Sequence, residues 1–81
     1  MHEEINGNEI ENLLNNIAWL RKRHGFSKKK MAKLLGIGVG TLNQIERTEL
    51  PPRLGTEVLF RIQEHFGIHP KDLLAERTDK L

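Results

Sequence analysis

Apolar residues recur at steps of three and four along most of this chain, and that spacing places their side chains on one face of an α-helix. The first such segment has its apolar positions at Ile10, Leu13, Leu14, Ile17 and Leu20. Asn8 and Glu11 have the spacing of a capping box, and Gly25 follows a cluster of basic residues, as is common where a helix ends. The pattern therefore predicts a first helix over residues 9–24.

Two short helices are predicted next. Ser27 is a typical N-cap for the second helix, which should end at Gly36. A third helix should begin after Gly38. Pro51 and Pro52 prevent any helix from continuing past that point, because proline lacks the backbone donor and restricts the residue before it.

The last part of the chain predicts two more helices. Thr56 is expected to cap the fourth, which should end at Gly67. His69 and Pro70 are expected to be the N-cap and first residue of a short fifth helix. No four residues alternate cleanly between apolar and polar, so we predict no strands and an all-α fold, a compact bundle of five helices.

The hydrophobic core is predicted from the apolar positions that share one side of these helices. Its members should be Ile10, Leu13, Leu14, Ile17, Leu20, Met31, Leu35, Leu42, Ile45, Leu59, Ile62 and Phe66. Trp19 falls off the apolar face of the first helix. It is either a half-buried residue lying on its own helix or an exposed anchor for a partner.

Charge is distributed unevenly along the 81 residues, although the net charge is only +2. Residues 1–11 carry four acids and no Lys or Arg, whereas residues 12–45 carry seven bases and no acid. The remaining residues, 46–81, carry six bases and seven acids. Nearly all the positive field therefore comes from one central block, which favours a polyanionic partner over a neutral one.

Several function classes are excluded or disfavoured by composition. Without cysteine there can be no disulfide scaffold, thiol nucleophile or Cys-based zinc site. No apolar run is long enough to cross a bilayer, and the acidic start does not resemble a secretory signal. We expect a cytoplasmic domain with no membrane association.

Metal binding and catalysis are also not expected. His65 and His69 have the spacing of two zinc ligands on a helix, but Gly67 interrupts the helix and no third ligand is near in sequence. Glu46 and Glu49 could be imagined as general acid and base, yet so small a domain has little room for a pocket around them. The prediction is a non-enzymatic protein without cofactor or metal.

The most informative segment covers residues 27–46. It predicts two short helices joined by a tight turn at Gly36, with small Ala32 where the helices would cross. Apolar residues at Ile37, Leu42 and Ile45 would hold the second of these helices against the core. This is the spacing of a helix-turn-helix.

The chain resembles the phage repressor/Cro-type, or XRE-type, helix-turn-helix family of DNA-binding proteins. The resemblance is carried, in order, by the segments LRKRHGFS, MAKLLGI, TLNQIER and LFRIQEHFGIHPKDLL, and it extends over residues 10–74. It implies a five-helix domain over residues 9–75 whose third helix enters the major groove of double-stranded DNA. Residues 1–8 would form an acidic N-terminal arm and residues 76–81 a C-terminal tail.

The resemblance also implies roles for individual residues. The positions that face base edges are Val39, Gly40, Thr41, Asn43 and Gln44. Phosphate contacts are expected from Lys28 and Arg53 by the resemblance, and from Lys29 and Lys33 by the positive charge of the second helix. Arg21 and Glu46 match a pair that in many members forms a salt bridge between the first and third helices.

The third helix departs from the family pattern at its start. Gly38 and Val39 stand where the family usually has Ser or Thr followed by Gln, and Gly40 has no side chain to read a base. Hydrogen bonding to bases would therefore rest on Asn43 and Gln44, whose amides can pair with adenine. We expect binding that relies strongly on phosphate contacts and DNA shape.

Lysines at the start of the second helix support this interpretation independently. Lys28, Lys29 and Lys30 would lie in its first turn, where each cation is disfavoured by about 0.3–1 kcal/mol at the positive end of the helix dipole. Such penalties make sense if phosphates offset them. The alternative is an ordinary solvated charged face.

Two functions remain open at this stage. The first is a repressor-type transcription regulator acting as a homodimer on a palindromic operator, with interface candidates Phe60, Leu73, Leu74 and Leu81. The second is a protein-interaction module or antitoxin-type partner that keeps the fold without strong base readout. The Gly-Val-Gly start of the third helix and the position of Trp19 motivate the second.

Overall fold

The structure is a computed structural model that describes residues 7–52 and 54–76, with side chains described from residue 9. These residues form five helices and no strand. The helices are α1 (Gly7–His24), α2 (Lys28–Leu35), α3 (Val39–Glu46), α4 (Thr56–Phe66) and α5 (Pro70–Leu73). The all-α, five-helix expectation is confirmed.

Local capping sets most of the helix boundaries. The Lys30 amide donates to Ser27 Oγ at 3.1 Å, which satisfies one of the amides left unpaired at the start of α2. Gly36 ends that helix with φ of 71°, a left-handed conformation that favours glycine. The Lys71 amide donates to His69 Nδ1 at 3.1 Å, so His69 caps α5 as expected.

Two predicted helix starts are wrong. The first helix begins at Gly7 rather than after an Asn8 cap. At α4 the N-cap is Gly55, in an extended conformation and without a side-chain cap, and Thr56 is already the first helical residue. Hydroxyl and amide side chains favour caps but do not force them, and glycine is a tolerated N-cap, as Gly55 is at α4.

The core lies where the inner faces of all five helices meet, and it contains most of the predicted positions. Its buried apolar members are Leu13, Leu14, Ile17, Leu20, Met31, Ala32, Leu35, Leu42, Ile45, Val58, Ile62, Ile68 and Leu73. Ile10, Leu59 and Phe66 are only partly buried and pack against its edge. α1 packs on α3 and α5, while α2 packs on α3 and α4, so the α2–α3 pair is supported from both sides.

One polar side chain belongs to this core. Asn16 is 1% exposed, and its Nδ2 donates to the carbonyl oxygens of Leu73 at 2.8 Å and Ala75 at 3.0 Å. Asn12, one helical turn earlier, donates to the Leu74 carbonyl at 3.1 Å. These bonds satisfy carbonyls at the end of α5 and attach the C-terminal segment to α1.

Candidate nucleic-acid interface

The turn between α2 and α3 is tight, and the Arg61 side chain lies against it. The Ile37 amide donates to the Ala32 carbonyl at 3.0 Å, which closes the end of α2. Ala32 is buried, and its small side chain allows the two helices to pack closely. Gly36 has a positive φ of 71°, which favours glycine, whereas the Arg61 side-chain end that lies 2.9 Å from an added Cβ could move aside.

α3 has one face in the core and the opposite face in solvent. Leu42 and Ile45 are buried, and by helix geometry the centre of the outward face falls at Gly40 and Gln44. Val39 is 41% exposed, while Thr41 and Asn43 are half-buried at the sides of this face. All five residues expected to face bases are therefore on the accessible part of α3.

Gly40 is the position on that face that has no side chain. A Cβ built there would meet nothing within 4 Å, so packing within the domain does not require glycine. Glycine in a helix interior is less stable than alanine by about 0.5–1 kcal/mol, and the difference is smaller in the first turn, where Gly40 is the second residue of α3. Because glycine has no side chain, the backbone of α3 can come closer here to a surface placed against it.

An ion pair ties α3 to α1. Arg21 Nη2 donates to Glu46 Oε1 at 2.9 Å, and Arg21 Nε donates to the other carboxylate oxygen. Arg21 Nη1 also donates to the Phe26 carbonyl at 3.0 Å. The hydrogen bond to Glu46 raises the pKa of the Arg21 guanidinium, so the pair fixes the orientation of α3 as a permanently charged clamp.

The lysines of α2 divide into two groups. Lys28, Lys29 and Lys33 are exposed and form what we call the lysine ridge. Lys30 is directed elsewhere, because its Nζ lies 4.4 Å from the centroid of the Phe26 ring in a cation–π contact. The remaining phosphate candidate, Arg53, lies outside the described residues.

The lysine ridge and α3 are joined by a hydrogen bond that the sequence did not predict. Lys28 Nζ donates to Asn43 Oδ1 at 2.8 Å. The two residues were expected to contact a phosphate and a base separately. No pattern in the sequence signals the bond, because it depends on how closely the start of α2 approaches the middle of α3.

The end of α3 is strained at one residue. Thr48 has φ of 61°, the one positive φ outside glycine among the described residues. Its amide donates to the Ile45 carbonyl and the Glu49 amide to the Gln44 carbonyl, both at 2.9 Å. This is a Schellman ending, in which the left-handed position usually holds glycine.

A model of the helix-turn-helix family matches residues 17–73, which include the C-terminal part of α1 and all of α2, α3, α4 and α5. The chain belongs to the XRE-type helix-turn-helix family. Membership supports a DNA-binding transcription regulator in general terms. Comparisons with curated proteins and with solved structures gave no significant match.

Apolar residues on the outside of this helix-turn-helix domain bear on its assembly. Phe60 on α4 is 63% exposed and Leu74 is half-buried against the core. Leu73 is 0% exposed, which corrects its selection as an interface residue: its side chain fills the space between α5 and α1. Leu81 lies outside the described residues.

Trp19 is half-buried against the core, and the Arg23 guanidinium lies 5.2 Å from its ring centroid. Within residues 7–52 and 54–76 no three His, Cys, Asp or Glu side chains are grouped so as to hold a metal ion. None of the helices in that part of the chain is long and apolar enough to cross a membrane.

Proposed function

We propose that this helix-turn-helix domain is a cytoplasmic, repressor-type transcription regulator that binds a palindromic operator as a homodimer. The observation that carries the proposal is the position of Lys28, which begins the exposed lysine ridge and is hydrogen-bonded to Asn43 beside the outward face of α3. A duplex placed against α3 would bring its phosphates to the ridge.

Electrostatics support this orientation. Lys28 and Lys29 lie in the first turn of α2, which contains no acidic residue, and Lys29 and Lys33 form a like-charge pair one turn apart. Glu46, the acidic residue within α3, has both carboxylate oxygens bonded to Arg21. The unfavourable charges of the free domain therefore become favourable once phosphates are bound.

The proposed contacts rest on this geometry and, for Arg53, on the family resemblance alone. Lys28, Lys29 and Lys33, together with Arg53, contact the sugar–phosphate backbone and hold α3 in the major groove. Gln44 at the centre of the outward face and Asn43 beside it make the hydrogen bonds to bases, with Thr41 at the opposite side. Val39 packs against a thymine methyl, and Gly40 lets the helix approach closely.

A salt titration of duplex binding tests the proposal. The logarithm of the affinity should fall linearly with the logarithm of the salt concentration, with a slope of about −0.9 for each phosphate neutralised. Lys29→Gln should make the slope shallower by about one and weaken all duplexes alike. Lys71→Gln, the same charge change on α5, is the matched control and should leave the slope unchanged. An affinity independent of salt would contradict phosphate binding.

Dimerisation is proposed from the exposed apolar surface of α4. Phe60 projects from the domain, and Leu50 in the loop before α4 is 54% exposed. Two copies joined through this region would present two α3 helices to successive major grooves, about 34 Å apart on one face of the duplex. The operator would then have matching half-sites one helical turn apart.

A second candidate is a protein-interaction module of the antitoxin type. It is favoured by the start of α3, where Val39 is exposed between two glycines and none of these three residues has a side chain that donates or accepts a hydrogen bond. Selection from a random duplex pool separates the two. Enrichment of a palindrome supports the regulator, whereas no enrichment and a stoichiometric protein bound across α3 supports the module.

A further inference from the structure

We propose that Lys28 and Asn43 act as one unit that reads guanine in the major groove. The inference rests on the proposed DNA-binding function, names the base that this pair selects, and moves Lys28 from a phosphate contact to a base contact. It starts from the 2.8 Å hydrogen bond between Lys28 Nζ and Asn43 Oδ1, which joins the first residue of α2 to the middle of α3.

The position of the pair suits contact with a base. Lys28 is exposed and Asn43 is half-buried, so the bond lies at the surface where the start of α2 meets the side of α3. The neighbouring outward position, Gly40, carries no side chain that would hold a base edge away from the pair. A base edge entering beside α3 therefore meets the Asn43 amide and the Lys28 ammonium together.

The bond changes what Asn43 can recognise. A free asparagine amide pairs with adenine, since Oδ1 accepts from N6 while Nδ2 donates to N7. In this structure Oδ1 accepts from a cationic ammonium, which repels the partly positive N6 amino group of adenine. The Asn43 amide keeps its two Nδ2 donors, which this bond does not use.

Both members of the pair then present donors. Lys28 retains two N–H groups after bonding to Asn43, and the amide retains two. Guanine is the base that offers two adjacent acceptors in the major groove, N7 and O6. Thymine offers O4 alone and has a methyl group beside it, and cytosine presents a donor. The donors of Lys28 and Asn43 are therefore complementary to the two acceptors of guanine.

The experiment combines selection with two variants and a control. Duplexes are selected from a random pool with the wild-type chain, Lys28→Met and Asn43→Ala. Lys29→Met is the matched control, because it removes a neighbouring lysine that has no bond to Asn43. Affinity is then measured for the selected duplex and for one in which 7-deazaguanine replaces the guanine at the position that Lys28→Met changes, removing the N7 acceptor.

The wild type should select guanine at one position of each half-site. Lys28→Met should shift that position towards adenine, and Asn43→Ala should remove the preference. Lys29→Met should weaken binding while the guanine remains selected. The 7-deazaguanine substitution should cost the wild type about tenfold in affinity and cost Asn43→Ala almost nothing.

Three results would overturn the inference. Adenine selected by the wild type would show that Oδ1 is free to accept, and a guanine preference unchanged in both Lys28→Met and Asn43→Ala would place its recognition elsewhere. In either case the DNA-binding function stands, because a sequence has been enriched. If no duplex is enriched and no salt-dependent binding is found, the proposed function fails and the inference fails with it.

Discussion

At the scale of single residues, Asn16 illustrates how a polar side chain can belong to a core. Its Nδ2 is the donor for two carbonyls at the end of α5, and it lies at helical spacing from Leu13 and Leu20 on the buried face of α1. Burial of such an amide costs free energy unless it is hydrogen-bonded, so its two bonds define where the C-terminal segment docks.

Asn16→Ala should therefore lower the free energy of unfolding by about 1–3 kcal/mol, because it leaves the two carbonyls without a donor. Urea denaturation measures the change. Asn15→Ala is the control on the exposed side of the same helix and should shift stability by less than about 0.5 kcal/mol. Equal effects of the two variants would contradict the structural role given to Asn16.

Gly40 is the residue at which stability and the proposed function should conflict. Gly40→Ala should stabilise the free domain by about 0.5 kcal/mol or less, since the added Cβ meets no atom within 4 Å and the position lies in the first turn of α3. The same methyl group should lower duplex affinity, because it would project against the base edges. Loss of one good base contact corresponds to about a tenfold decrease. Thermal unfolding and duplex titration measure the two effects. Tighter DNA binding by Gly40→Ala would contradict close approach of α3.

At the scale of the helices, the ion pair between α1 and α3 is of a different kind from the ion pair within α4. Arg21 bonds Glu46 through two nitrogens and the Phe26 carbonyl through a third, and both side chains of the pair are largely buried. Arg61 and Glu57 are a single i,i+4 contact at the surface. Surface pairs of that type contribute about 0.3–0.5 kcal/mol.

Arg21→Met should destabilise the domain by about 2 kcal/mol, because Glu46 and the Phe26 carbonyl lose their donors while the aliphatic packing is kept. Glu57→Gln should cost about 0.5 kcal/mol or less. Chemical denaturation compares the two. A loss for Glu57→Gln as large as that for Arg21→Met would contradict the distinction between the two pairs.

The direction of the pKa shift of Arg21 predicts how the destabilisation by Arg21→Met depends on pH. Because the pKa of Arg21 is raised in the folded state, the stabilisation is fully present below the ordinary pKa of arginine and is lost only as the pH rises through the raised value. From pH 6 to pH 9 the cost of Arg21→Met should accordingly stay constant.

At the scale of the whole molecule, the arrangement places DNA contact and self-association on different elements. The lysine ridge and the outward face of α3 form the proposed DNA surface, whereas Phe60 is on α4. A regulator built this way can lose its dimer without losing the contacts of one half-site.

Phe60→Glu should therefore raise the dimer dissociation constant about tenfold or more, because it puts a charge where an aromatic ring would be buried. Sedimentation equilibrium measures the constant. His65→Glu introduces the same carboxylate about 140° around α4 and should leave association unchanged. A wild-type chain that remains monomeric, alone and on DNA, would contradict the homodimer.

Much of this molecule could be predicted from its sequence because the signals are local. Ser27, Gly36 and His69 mark helix ends through their own backbone or side chain, and periodic apolar residues define the core-facing sides. The family match to residues 17–73 agrees with the order of the motifs. Charge segregation, another sequence property, singled out the lysines of α2.

The features that could not be predicted depend on tertiary geometry. The bond between Lys28 and Asn43 requires the approach of α2 to α3, and the burial of Leu73 requires α5 to pack on α1. Asn16 is a polar residue of a type expected at the surface, and its burial depends on carbonyl partners that only the folded chain supplies. Thr48 adopts a left-handed conformation that tertiary context imposes against its own preference.

The most direct test of the central claim, that α2 and α3 form the DNA surface, is a map of backbone amide chemical shifts during titration with a selected duplex. The account predicts the largest changes at residues 27–33 and 38–44, and small changes along the first half of α1 and in α5. Changes concentrated on α1 and α5, with α3 unaffected by a duplex that binds, would contradict it.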